Sequence, residues 1–163
     1  MKIYKLVNNI CGEKYREFIL YCLKHSTFFS FTIRQNISRE EIACLDELNN
    51  GYAYKTIETY LWYNYKVFIK PLDVILFHSH PEIVDFFEKN FDSIFPGFSN
   101  GLEDVCFFDR DKIIFGSVTH EKHAAIFPSD EIQLKDFMRF AEWEEKELTK
   151  KDFAFIPDFR KIL

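Results

Sequence analysis

The chain reads as an α+β domain, a mostly antiparallel sheet with about four helices packed on it. Three observations predict this class. Short runs of β-branched and aromatic residues recur through the middle and late parts of the chain. Stretches with apolar residues at helical spacing stand singly between them. There is no regular strand–helix–strand alternation of the kind that builds a parallel sheet. The 163 residues contain no Gly/Ser-rich or Pro-rich linker, repeat or low-complexity block, so residues 1–163 are expected to form a single globular domain.

The elements follow in order. Tyr15, Phe18, Ile19, Cys22 and Leu23 recur at helical spacing and predict a helix over about 13–25. "TFFSFTI" at 27–33 is a short β-forming run. Ser38 with Glu41 has the pattern of a capping box, and Ile42, Leu45 and Leu48 continue it as an apolar stripe that "NNG" ends at 49–51. From Tyr52 to Phe77 the residues are strand formers, with Pro71 separating "YAYKTIETYLWYNYKVFIK" from "DVILF". A helix is expected over about 80–95. It would open on Ser79–Glu82 as a second capping box with Pro81 in its first turn, and Ile83, Phe87, Phe91 and Ile94 would form its buried stripe. "DVCFFDRDKIIFGSV" predicts a hairpin turning at Asp109–Lys112, and "HAAIF" a further strand after a turn at His120–Lys122. A last helix is expected after Pro128 and Ser129, with Leu134, Phe137, Met138, Ala141 and Leu148 inward and Glu142, Glu144, Glu145, Lys146 and Glu147 mostly outward. The aromatic tail "DFAFIPDFRKIL" is expected to pack back on the domain.

Composition narrows the function. With 47% apolar and 29% charged residues the chain has a globular rather than a disordered balance. A net charge of −5, with no basic stripe, argues against nucleic acid as a partner. The N-terminal stretch has no signal-like apolar region, and no apolar run approaches the roughly 18 residues of a membrane span. Cys11, Cys22, Cys44 and Cys106 lack CxxC spacing and read as reduced thiols, so a cytoplasmic location is expected.

"LFHSHPE" at 76–82 presents two histidines one residue apart. The tetrapeptide resembles the JAMM (MPN+) family of zinc-dependent isopeptidases. In that family two histidines and a downstream aspartate bind zinc, but the positions corresponding to the family's serine and aspartate hold Glu88 and Phe91 here. His120 and His123 are spaced i, i+3 rather than the i, i+4 of an HExxH helix. A zinc-dependent hydrolase using His78 and His80, with His120 and His123 completing a four-nitrogen site, is the alternative reading. Otherwise neither a metal nor a cofactor is expected. No nucleophile elbow, P-loop or GxGxxG fingerprint is present in the sequence. Glu103 and Asp104, as neighbours on a strand, are expected to point to opposite faces.

Two blocks, "ICGEKYREFILYCLKHSTFFSFTIR" and "LEDVCFFDRDKIIFGSVTHE", resemble a family of small uncharacterised proteins from low-GC Gram-positive bacteria. The resemblance implies a bacterial cytosolic domain with a helix and strand first and a hairpin ending in His-Glu late, and implies no activity. The leading expectation is a non-enzymatic protein-binding domain, of an immunity-type or regulatory kind. Its negative charge would favour a basic partner protein, and Tyr52, Tyr54, Tyr60, Trp62, Tyr63 and Tyr65, too many to bury on one strand pair, would supply contacts.

Overall fold

A computed structural model describes residues 2–163, and it is α+β. Eight strands form one antiparallel sheet. In chain order they are β1 (Lys2–Leu6), β2 (Phe28–Ile33), β3 (Ala53–Thr59), β6 (Leu72–His78), β7 (Leu102–Asp109), β8 (Lys112–Val118), β9 (His123–Ile126) and β10 (Trp143–Glu147), and across the sheet they run β10-β1-β9-β8-β7-β2-β6-β3. The two-residue strands β4 (Leu61–Trp62) and β5 (Tyr65–Lys66) pair separately as a small hairpin. The helices are α1 (Gly12–His25), α2 (Leu45–Asn49), α3 (Val84–Asn90), α4 (Glu131–Phe137) and α5 (Lys150–Phe153).

Both faces of the sheet are buried, which is why its inner strands read as near-continuous apolar runs. On the first face Phe29, Phe31, Phe77, Phe107 and Phe115 pack under α1, α2, α3 and α4, with Phe18 of α1 edge-on to Phe115 at 5.0 Å between ring centroids. On the second face Leu72, Val74, Leu76, Cys106 and Phe108 pack under Trp62 and Tyr63 of the hairpin and Phe159 of the tail. Trp62, Phe108 and Phe159 meet one another at 4.9–5.9 Å. The tail packs back as expected.

Five local expectations are corrected. The capping box at Ser38 forms, with the Ser38 N–H donating to Glu41 Oε2 at 2.7 Å, but it opens only a single 3-10 turn, Arg39–Glu41, before α2 starts at Leu45. The second box does not form: His80 holds the N-cap position of the 3-10 turn Pro81–Ile83. The Ser79 hydroxyl instead bonds Ser26 Oγ at 2.7 Å at the end of α1, and Glu82 accepts from the Tyr52 hydroxyl at 2.6 Å. That helix ends at Asn90, yet Phe91 and Ile94 stay buried because the chain runs on extended and the Ile94 N–H bonds the Ile10 carbonyl at 3.1 Å.

The long last helix is broken: α4 ends at Phe137, and Trp143–Glu147 forms β10 with β1 as its partner from Lys2↔Glu147 to Leu6↔Trp143. Five residue pairs along β1 outweigh the helix propensity of the glutamates, and those glutamates then charge the outer strand against edge-to-edge association. Finally, Glu103 and Asp104 do not alternate. The pairing of β2 with β7 shifts between Ser30 and Thr32, so that Asp104 and Val105 together oppose Phe31, and Asp104 takes a left-handed φ of 54°. This bulge places both carboxyls on the second face.

Candidate functional site

The β4–β5 hairpin organises the most distinctive surface of the molecule. Register Trp62↔Tyr65 leaves Tyr63 and Asn64 as its turn, and Asn64 supplies the left-handed conformation, φ 55°, that asparagine tolerates. The turn points inward. Tyr63 lies flat on Gly116 of β8, where an added Cβ would stand 2.7 Å from its ring, and the Asn64 N–H bonds the Phe155 carbonyl at 2.7 Å. The base of the hairpin points outward.

The six aromatics expected at an interface are therefore divided. Trp62 and Tyr63 are core. Tyr52 is half-buried and held by Glu82, and Tyr65 is half-buried with its ring edge-on to His120 at 5.1 Å. Tyr54 and Tyr60 face solvent, at 38% and 50% exposure. Tyr54 stacks on Phe28 at 4.5 Å, and its hydroxyl donates to the Leu163 carbonyl at 3.2 Å. The sequence reading missed the two strongest members of this surface, Phe68 and Ile69, which are 80% and 97% exposed on the loop between β5 and β6. Four of the nine exposed large apolar side chains among the described residues thus fall between positions 54 and 69. The signal was local: Phe-Ile flanked by Lys66 and Lys70 and followed at once by Pro71, which cannot continue a paired strand. Lys66 Nζ lies 5.3 Å from the Phe68 ring centroid. Beside this loop β3 ends the sheet, with no further strand paired to its outer edge among the described residues.

The histidines do not converge. His78 sits at the sheet end marked by Phe28, Phe108 and Ile113, packed on Tyr54 at 5.0 Å, and His80 lies 5.8 Å from the Tyr52 ring. His123 pairs with Val118 at the opposite end of β8. Five residues along that strand and four strand spacings across the sheet separate the two ends by about 17 Å and about 19 Å. The four-nitrogen site is thereby ruled out on geometry. Among the described residues no group of three or more His, Cys, Asp or Glu side chains is placed to hold a metal ion.

Two polar clusters flank the 3-10 turn Thr119–Glu121 that carries His120. The first is built by the bulge. Asp104 is buried and accepts from the Thr119 N–H at 2.6 Å and the Thr32 hydroxyl at 2.9 Å. Burial pushes its carboxyl above the ordinary range, against those bonds and the nearby His120. Glu103 is also raised, by burial and by Asp104, with Arg34 at 3.9 Å opposing. Thr119 and Glu103 face a cleft of about 290 Å³ with Arg34 and Ser99 on its far wall. The second cluster brings Lys5, His123 and Lys146 together under the Tyr63 hydroxyl in a cleft of about 280 Å³.

Comparison with protein-family models, with curated proteins and with solved structures returned no match for this chain. No helix among the described residues is long and apolar enough to cross a membrane.

Proposed function

We propose that the chain is a non-enzymatic protein-binding module whose contact surface is the Phe68–Ile69 loop, extended by Tyr60, Tyr54 and the open edge of β3. The observation that carries this reading is the exposure of two adjacent large apolar side chains on a loop whose root is anchored by fully buried Trp62 and Tyr63. An exposed apolar patch on a rigid base is a docking surface in search of a cover. Burying a side chain of this size contributes about 1.5–3 kcal/mol, so the pair can supply a central hot spot. At contact range the flanking Lys66 and Lys70 outweigh the distant net charge, because screening limits exposed charges to about 8–10 Å. The complementary partner surface is an apolar pocket rimmed by carboxylates.

The test is capture of partners from the native host with wild type, with a Phe68→Asp/Ile69→Asp variant, and with Ile132→Asp as a control at an exposed apolar site on α4. The double variant should lose the partner, at least tenfold in affinity, with an unchanged melting temperature, while the control keeps it. Partners retained equally by all three proteins would refute the reading. So would binding to anionic vesicles that the double variant abolishes in the absence of any protein partner.

A further inference from the structure

The cleft beside His123 is assembled by sheet register from three strands. Ile3 faces the second core, Lys146 is its cross-strand partner, and Lys5 follows two residues later on the same face. Ala125 pairs with Lys5 and also faces that core, which puts His123, two residues before it, on the same side. Three nitrogen-bearing side chains from β1, β9 and β10 therefore converge by construction rather than by chance of side-chain placement. Tyr63 closes the cleft from the hairpin, with its hydroxyl 3.5 Å from His123 Nε2.

The cleft lining carries two ammonium groups, Lys5 and Lys146, and two carboxylates, Glu121 and Asp152. Lys146 is paired with Asp152 at 3.1 Å, and that carboxylate is already committed to the Thr149 N–H and hydroxyl, each at 2.7 Å. Lys5 has no carboxylate within 4.0 Å among the described residues, although Glu144 is its cross-strand partner and shares its face of the sheet. Glu121 lines the outer wall, 3.9 Å from His120. Burial lowers His123 to a pKa of about 4, with Lys5 and Lys146 adding to the effect. The imidazole is thus neutral at pH 7, beside one ammonium group paired with Asp152 and one with no carboxylate in contact.

We infer that Lys5, His123 and Lys146 bind the phosphate group of a small phosphomonoester. A tetrahedral oxyanion can accept from two ammonium groups, an imidazole N–H and a phenol at once, whereas a carboxylate offers only two oxygens. The cleft, about 280 Å³, is several times the volume of a phosphate group, and Asn64 and Glu121 on its walls can bond the hydroxyls of an attached polar moiety. The site is separate from the Phe68–Ile69 surface, so its test is independent of the protein-binding reading.

The experiment is an NMR titration of the His123 ring in sulfate, inorganic phosphate and glycerol 3-phosphate at constant ionic strength set with chloride. The groups facing His123 are Lys5, Lys146, Glu121, Asp152 and Tyr63, with Glu144 opposite Lys5 on the same face. A bound dianion favours the imidazolium, so the His123 pKa should rise by at least one unit, saturably. Sulfate, which stays dianionic, should therefore bind more tightly as pH falls from 7 to 5. Glycerol 3-phosphate should bind several-fold more tightly than inorganic phosphate, and Lys5→Gln should weaken both at least tenfold. Exposed His120 serves as the internal reference. A shift of His120 and His123 alike, or none over chloride, overturns the site. Equal affinity for phosphate and its ester overturns the ester assignment.

Discussion

Gly116→Ala tests whether the hairpin is seated as described. Alanine in a strand is ordinarily favoured over glycine by about 0.5–1 kcal/mol, because the unfolded chain loses less freedom. Here the new Cβ would lie 2.7 Å from Cδ1 and Cε1 of Tyr63 and 2.8 Å from Cζ, well inside the about 3.5–4.0 Å of an ordinary carbon contact. The ring has no room to retreat, since it is buried, edge-on to Phe127 at 5.9 Å and stacked on His123 at 6.3 Å. Overpacking of this kind costs about 1–3 kcal/mol, which leaves a net destabilisation of about 0.5–2 kcal/mol after the backbone gain. The melting temperature should fall by about 2–6 °C for a chain of this size. Tyr63→Leu alone should cost about 2–4 kcal/mol through the cavity it leaves. In that background Gly116→Ala should be neutral or stabilising, giving a coupling of about 1 kcal/mol or more between the two positions. Urea melts of the four proteins measure the cycle. A neutral or stabilising Gly116→Ala in wild type, or the same effect in both backgrounds, would refute the placement of Tyr63 on β8.

Ser79→Ala and Ser26→Ala should each cost about 0.5–1.5 kcal/mol through the bond that joins α1 to the end of β6, with the double variant little worse than either. Exposed His80→Ala should stay within about 0.5 kcal/mol, and EDTA should leave the order unchanged in thermal melts. Asp104→Asn should raise the melting temperature at pH 7, because burial holds the carboxyl's folded pKa above its unfolded value and the ionised form is destabilising above that pKa. The folded state takes up more protons than the unfolded state between the two values. The gain should therefore shrink as pH falls through the raised pKa towards about 4, and a variant advantage independent of pH would contradict the assignment. With a thiol reagent, exposed Cys11 should react fast and half-buried Cys44 slowly, while Cys22 and Cys106, whose thiols burial pushes upward, should react only after denaturation.

The parts of the fold legible in the sequence are those whose pairing is local or whose burial is one-sided. The run Tyr15 to Leu23 marks α1, and Asp109–Lys112 marks the β7–β8 turn, because helix periodicity and a two-residue hairpin are both properties of neighbouring residues. β1 and β10 escaped notice for the opposite reason. "KIYKL" is short, Glu144 to Glu147 are helix formers, and what makes both segments strands is each other, 141 residues apart at Tyr4 and Glu145. The acidic pair was misread because alternation holds only in a regular strand, and nothing in "LEDV" announces that Asp104 adopts a left-handed bulge. The Lys5–His123–Lys146 cleft could not be seen at all without the order β10-β1-β9.

The division of the aromatic segment also has an energetic logic that composition alone does not reveal. A hairpin of two-residue strands is too small to stand in water by itself. Trp62 and Tyr63 are both fully buried, and aromatics of this size each remove about 150–250 Å² from solvent, so the hairpin is held by its inward tip rather than by its own ladder. That anchoring is what allows the following residues to keep Phe68 and Ile69 in water without unravelling the loop, and it positions Tyr65 against His120 and Tyr63 against His123 from the same few residues. The proposed docking surface and the proposed phosphate cleft therefore share one mechanical support, the seat of Tyr63 on Gly116. A perturbation that lifts the hairpin should degrade both functions together, whereas Phe68→Asp/Ile69→Asp and Lys5→Gln should each remove only its own.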